Sequence, residues 1–309
     1  MRNNLKLKFF LLKTLLSIKS LNHCIEPIIT ILQKNIPDKY NYKLLKHRYV
    51  IFEKIGSGGM SEIFSGVDLD RSINFGVFNP VAIKVLKSEF LDCDEAIYSL
   101  ESEYIIGQKF THKALVKSYD FVSVSNETHL VMDLLEGRTL NFLKNENNEV
   151  CNIEQKINLL NKLIDAVAFI HANFIIHGDL KPSNIFICND GTLKIIDFGL
   201  SSTPSRCSPN TAYAFSQKFA SPERILGGKP SYADDVYALG CIAHIVLTGR
   251  HPFGNLSSID AKNASLIPPK VFGIDNKAQN IIDKTLSFDP VDRPGNAREL
   301  YAGLSHLFK

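Results

Sequence analysis

Four apolar runs, Ala166–Ile170 and Phe174–Ile176 before it and Ile185–Ile187 and Leu193–Ile196 after it, enclose the polar stretch His177-Gly178-Asp179-Leu180-Lys181-Pro182-Ser183-Asn184. Asp197-Phe198-Gly199 comes one short hairpin later. Three charge carriers (Asp179, Lys181, Asp197) and one amide (Asn184) therefore crowd into about twenty residues between segments that must be buried. A loop of this kind, held between apolar strands, is a rigid scaffold presenting reactive groups.

The rest of the chain has room for such a scaffold. Its 309 residues suffice for one large domain or two lobes with a sizeable core. A net charge of +3, from 35 basic and 32 acidic residues, gives no reason to expect nucleic acid or an anionic membrane as the main partner. The six cysteines (Cys24, Cys93, Cys151, Cys188, Cys207, Cys241) form no C-x-x-C pair. They read as isolated thiols in a reducing compartment, and a cytoplasmic location is expected.

Residues 1–46 differ in composition from the rest of the chain. Leu5, Phe9, Leu12 and Leu16 share one helical face, Lys6 and Lys13 lie on another, and no acidic residue occurs from 5 to 21. Lys13 interrupts the apolar run, which falls short of the roughly 20 residues a membrane span needs. A signal peptide also fits poorly, since no small-residue cleavage site comes after a clean apolar core. Two readings stay open: a helical extension packed on the domain, or a basic helix for peripheral membrane or partner contact.

From Tyr49 the pattern changes to short strands. Tyr49–Ile55 leads into Gly56-Ser57-Gly58-Gly59-Met60-Ser61 and then Ile63–Val67, a hairpin whose glycines let backbone lie close to a ligand. Val81–Val85 is a further strand, and its Lys84 sits among apolar neighbours, where an ammonium needs anionic partners. Glu101 and Glu103 compete for that role. Leu130–Met132 is an apolar strand entering a linker at Asp133-Leu134-Leu135-Glu136-Gly137. Apolar positions 153, 157, 160, 164, 167 and 170 predict a helix over Ile153–Ala172, with His171 as a residue of its last turn. Asp234–Leu247 is nearly apolar all round, as a central buried helix would be, and Gly249 ends it.

Taken in order, these stretches resemble the protein kinases, and most closely the compact Ser/Thr kinases of bacteria. The resemblance runs from about residue 49 to 294. It implies an α+β, bilobal protein-kinase-like fold with a small β-rich N-lobe and a larger, mainly α-helical C-lobe. The boundaries expected are an extension over 1–46 and a kinase domain over 47–307, divided into N-lobe 47–132, hinge 133–137 and C-lobe 138–307. It implies ATP with Mg2+ or Mn2+ as cofactors and protein Ser/Thr hydroxyls as acceptors, with autophosphorylation. By position, Asp179 would orient or deprotonate the acceptor hydroxyl, Lys181 would stabilise the γ-phosphoryl group, and Asn184 and Asp197 would hold metal. Lys84 would align the α- and β-phosphates, held by Glu103, whose spacing fits the family better than that of Glu101. Nucleotide contacts would come from Ile55, Gly56, Ser57, Gly58, Gly59, Ile63, Ala82 and the gatekeeper Met132, with backbone groups of Asp133 to Leu135 on adenine. Ser221-Pro222-Glu223 stands where the family has Ala-Pro-Glu, with Arg293 as the partner of Glu223. Asp235 would cap the catalytic-loop backbone.

One position departs from the pattern, for Gly178 replaces the usual Arg before the catalytic Asp. That Arg normally pairs with a phosphate in the activation segment. The expectation is that activity here does not depend on phosphorylation of Thr203, Ser205, Ser208 or Thr211. His-Gly-Asp also occurs in small-molecule phosphotransferases of the aminoglycoside and choline kinase type, which stay as an alternative, and a pseudokinase scaffold is a third reading.

Overall fold

The structure is a computed structural model, and it describes residues 43–75, 79–124, 127–141, 152–199, 201 and 216–308. The expected helix within residues 1–42, and Thr203, Ser205, Ser208 and Thr211, lie outside the described residues. The chain divides into two compact units, one running up to Lys109 and including Lys117–Leu135, the other comprising Phe110–Val116 and the chain from Glu136 onward.

The first unit is built on a six-stranded antiparallel sheet. Its strands are β1 (Lys43–Leu45), β2 (Tyr49–Ser57), β3 (Ser61–Asp68), β4 (Pro80–Leu86), β5 (Ser118–Val124) and β6 (Glu127–Asp133). They lie in the order β1-β2-β3-β4-β6-β5. Tyr49, Ile51, Val81, Ile83, Val122 and Val131 alternate inward from these strands and form one buried cluster. Among the described residues two helices join the sheet: α1 (Leu69–Phe75), between β3 and β4, and α2 (Asp94–Lys109). Helix α2 packs on β5 through Gly107, where a Cβ would come within 2.2 Å of the Ser118 Oγ. Only glycine permits that approach.

Two features depart from the expected layout. The sheet begins at Lys43, inside the stretch read from sequence as a helical extension. The β1–β2 turn places Lys46 and His47 at φ 48° and 54°, closed by the Arg48 N–H on the Leu45 carbonyl at 3.0 Å. Hairpin turns of this kind favour Asn and Gly, so Lys-His gives no turn signal in the sequence. Residues 110–116, expected in the N-lobe, belong to the second unit: the Leu115 backbone bridges to Ile195, and the Ile195 N–H donates to the Ala114 carbonyl at 2.8 Å.

The second unit carries a small antiparallel sheet, β7 (Gly137–Thr139), β8 (Ile185–Cys188) and β9 (Leu193–Ile195), and six helices among the described residues. These are α3 (Ile153–Ala172), α4 (Pro222–Ile225), α5 (Tyr232–Thr248), α6 (Ser258–Asn263), α7 (Asn276–Thr285) and α8 (Ala297–Leu304). A capping box between Asn152 and Gln155 starts α3, satisfying amides that a helix end otherwise leaves open. Of its predicted stripe, Leu160, Ile164, Val167 and Ile170 are buried while Ile153 in the first turn is exposed. In α5 every residue from Asp234 to Leu247 is buried, and helices α3 and α7 pack against it. Such a helix is a fixed post from which polar residues at its N-terminus can be aimed.

Candidate active site

In the first unit, β4 carries Lys84 and α2 carries Glu103. Their ammonium and carboxylate meet at 2.5 Å, with the residues 9% and 7% exposed. A buried Lys without an acid costs several kcal/mol, about the magnitude that makes such pairs obligatory. Glu101 points to solvent. The close packing of α2 at Gly107, one helical turn along, sets how near Glu103 comes to the sheet.

The glycine turn between β2 and β3 keeps strand pairing up to Gly56 with Ile63 and Ser57 with Glu62, and closes with the Gly58 N–H on the Ser61 carbonyl at 2.8 Å. None of Gly56, Gly58 and Gly59 has a left-handed φ. A Cβ added at Gly59 would meet nothing within 4 Å, and at Gly58 only ordinary contacts at 3.7 Å. Neither backbone conformation nor packing requires glycine here. Glycine there leaves the backbone bare to whatever approaches the turn.

The strand end that leads into the linker is held from the side. Met132 is buried and pairs with Ala82 across β4 and β6. The Asp133 N–H donates to the Lys117 carbonyl at 2.9 Å, so of the backbone groups expected to meet adenine this one is already engaged. Its carboxylate accepts the Lys117 N–H at 3.2 Å and the Tyr119 hydroxyl. Ile55 is exposed, while Ile63 and Leu135 are half-buried.

In the second unit, the loop after α3 is organised from below. The Asp235 carboxylate accepts the His177 N–H at 2.8 Å and the Gly178 N–H at 2.9 Å. Its Oδ2 also meets His171 Nε2 at 2.9 Å, and the other nitrogen of His171 accepts the Ala297 N–H at 3.1 Å. Burial would raise the Asp235 carboxyl, but the His171 hydrogen bond and the loop donors outweigh it and hold it below the usual carboxylate range. His171, read from sequence as a helix-end residue, thus ties three segments together.

Gly178 has φ 78°, a conformation that costs other residues about 1–2 kcal/mol. The turn it makes directs Asp179 into a set of donors. The Asp179 carboxylate accepts Lys181 Nζ at 2.5 Å, Asn184 Nδ2 at 3.3 Å and the Ser216 N–H at 3.0 Å. Asn184 Nδ2 also donates to the Asp179 carbonyl at 3.0 Å. The amide nitrogen of Asn184 is therefore committed to Asp179, which leaves its carbonyl oxygen as the group to offer a cation. The Ile196 N–H donates to the backbone carbonyl of Asn184, not to its side chain, at 2.9 Å and brings Asp197 alongside. Asp197 has φ 67°, a strained value for a non-glycine residue and of the kind that collects at functional sites. Phe198 is buried with its ring centroid 4.9 Å from that of His177.

Glu223, on α4, takes a two-pronged contact from Arg293, with Nη1 to Oε1 at 2.6 Å and Nη2 to Oε2 at 3.0 Å. Burial opposes the charge on Glu223, but the guanidinium holds its carboxyl below the usual range. Next to it, Ser221 caps α4 and its hydroxyl reaches Asp234 at 2.5 Å.

Hard oxygen donors at Asn184 and Asp197 fit a small divalent cation that takes its remaining ligands from phosphate and water. Among the described residues no group of three or more His, Cys, Asp or Glu could hold a metal unaided. That is the donor set expected where the nucleotide brings most of the oxygens.

The chain matches the family described as the protein kinase domain over residues 49–304. It belongs to that family. The kinase domain is 33% identical over 220 residues to the probable serine/threonine-protein kinase PknB of Lactococcus lactis, covering 70% of this chain and 34% of that protein. It is 30% identical over 276 residues to serine/threonine-protein kinase PrkC of Bacillus subtilis, covering 86% and 41%. With serine/threonine-protein kinase PknL of Mycobacterium tuberculosis it shares 29% over 283 residues, covering 87% and 68%. The chain thus spans about a third to two fifths of the first two relatives. The fold is the α+β bilobal fold of that family. Among the described residues no helix is long and apolar enough to cross a membrane.

Proposed function

We propose that this kinase domain transfers the γ-phosphoryl group of ATP to Ser/Thr hydroxyls of proteins, including its own, with Mg2+ or Mn2+. The observation that carries the reading is the Asp179 carboxylate, held by Lys181, Asn184 and the Ser216 amide on a loop pinned by Asp235. A carboxylate so placed accepts the acceptor hydroxyl's proton as the oxygen bonds to the γ-phosphorus and the bond to the β–γ bridging oxygen breaks, releasing ADP. Lys181 neutralises charge next to that carboxylate and on the transferred group. Lys84, held by Glu103, takes the α- and β-phosphates, and the amides of the glycine turn face the rest of the chain of phosphates. A divalent metal, when bound through Asn184 and Asp197, supplies charge neutralisation on the nucleotide.

The small-molecule alternative is disfavoured by Lys181 and by the Ser221-Pro222-Glu223 strip with its Arg293 contact, which belong to the protein-kinase pattern. We infer a domain over about 47–307, a cytoplasmic location and no nucleic-acid partner. For the stretch within 1–46 two readings stand, a helical extension packed on the domain or a basic helix for peripheral membrane or partner contact. Purified protein with ATP and Mg2+ should phosphorylate a casein-like protein on Ser/Thr and leave a panel of aminoglycosides unmodified. Transfer to the antibiotics alone would overturn the reading. Deleting residues 1–40 should leave transfer intact and reduce binding to anionic vesicles or partner if the stretch makes such contacts, and should cost soluble protein if it packs on the domain.

A further inference from the structure

A loop that cradles a polyanion must offer amide N–H groups and turn its carbonyl oxygens to other donors, since a carbonyl facing a phosphate is repulsive. In the turn between β2 and β3, three consecutive carbonyls are occupied from within the protein. The Gly59 oxygen accepts Lys87 Nζ at 2.7 Å, the Met60 oxygen accepts the Lys87 backbone N–H at 3.0 Å, and the Ser61 oxygen accepts the Gly58 N–H at 2.8 Å. Two of the three donors come from one residue. Among the described residues no acceptor meets the N–H groups of Gly59 or Met60.

Lys87 is well placed for this. It directly succeeds β4, whose register with β3 (Ser61 with Leu86, Glu62 with Val85) carries it to the tip of the turn. Its own carbonyl accepts the Phe90 N–H at 2.9 Å, opening a single 3-10 turn over Ser88–Phe90. Backbone bonds on both sides thus fix its Cα, and the side chain has one short reach to Gly59. Nearer the turn, Lys54 and Glu62 are paired with each other at 2.9 Å. Lys87 is therefore the cation that acts on the turn itself.

We propose that Lys87 is a positioning residue for nucleotide phosphates. By occupying the carbonyls of Gly59 and Met60 it holds the glycine turn with its free amides available to the β- and γ-phosphates. Without the ammonium, the Gly59 oxygen loses its donor and the turn no longer favours the phosphate-facing arrangement. Lys87 does not touch the reacting atoms in this scheme, so its loss weakens phosphate binding more than the chemical step. The inference rests on the kinase reading of the site.

The test compares wild type, Lys87→Met and Lys87→Arg, with Mg2+-ATP and with adenosine as probes. In Lys87→Met, KM and Kd for ATP should rise about five- to tenfold, with kcat within about twofold and adenosine affinity unchanged. Lys87→Arg, which keeps an N–H donor, should recover most of the ATP affinity. Amide exchange over residues 57–61 should quicken in Lys87→Met, with the melting temperature close to wild type. Unchanged ATP affinity in Lys87→Met, or equal losses for ATP and adenosine, would overturn the positioning role while leaving the kinase reading intact. Wild-type protein that neither binds ATP nor transfers phosphate would instead remove the kinase reading, and this proposal with it.

Discussion

The two units hold their charged residues in different ways. In the first, an ion pair between a strand and a helix joins Lys84 and Glu103. In the second, each layer is secured by the next: Asp179 by Lys181, Asn184 and Ser216, the loop backbone by Asp235, Asp235 by His171, and His171 by the Ala297 amide. An ion pair between a strand and a helix is loosened by a displacement of either element. A layered set of buried hydrogen bonds cannot be undone without leaving several polar groups unsatisfied. The phosphate alignment proposed for Lys84 therefore depends on where α2 sits against β4, whereas the loop carrying Asp179 is set by the fold itself.

The largest effect expected from this contrast is on stability in the second unit. Arg293→Ala leaves Glu223 charged, partly buried and without its fork, and should cost about 3–5 kcal/mol. Thermal melting would read this. A loss below about 1 kcal/mol would mean that the layered scaffold tolerates gaps and that the contrast is overstated. Next come the charges of the reaction. Asp179→Asn and Lys84→Met should each reduce phosphoryl transfer on the order of 10²-fold or more. The double variant Lys84→Met/Glu103→Gln, which removes both charges together, should melt near wild type yet stay inactive, because a neutralised pair leaves no orphan charge.

Gly178→Ala tests the loop geometry alone. At φ 78° an added Cβ should lower stability by about 1–2 kcal/mol and slow transfer without altering ATP affinity. If Ala is tolerated there, the glycine is not needed for the turn. The first unit should also respond to acid through His129, which is buried with its Nε2 3.5 Å from the Glu127 carboxylate. Burial lowers its pKa from 6.5 despite that neighbour. Below pH 6.5 the unfolded imidazole takes a proton that the folded one refuses, so stability falls as pH drops toward the lowered folded value. His129→Gln should flatten the melting-temperature profile between pH 7 and 5, by up to about 1.4 kcal/mol per pH unit. Smallest of all, replacing Thr203, Ser205, Ser208 and Thr211 by Ala should change the rate less than about tenfold, since Gly178 offers no guanidinium to a phosphate there. A larger loss would show that another cation takes that role.

Much of this architecture was legible in the chain because it rests on local chemistry. The span Ile153–Ala172 is set by apolar periodicity and α5 by its all-round apolarity, while the choice of Glu103 over Glu101 came from the spacing of the family the chain resembles. The order of glycine turn, lysine strand, catalytic loop and Asp-Phe-Gly pointed to the family and to the kinds of group available for the chemistry. What only the tertiary structure decided are the contacts between residues distant in sequence that carry no pattern of their own. These are His171 bridging Asp235 to Ala297, the Asp133 side chain taken by Lys117 and Tyr119, strand β1 behind a Lys-His turn, and Lys87 occupying two carbonyls of the glycine turn. Gly178 shows the boundary. From the sequence it is a missing side chain, while in the fold it is also a left-handed turn, because hydrogen bonds from two loop amides to Asp235 determine the backbone there.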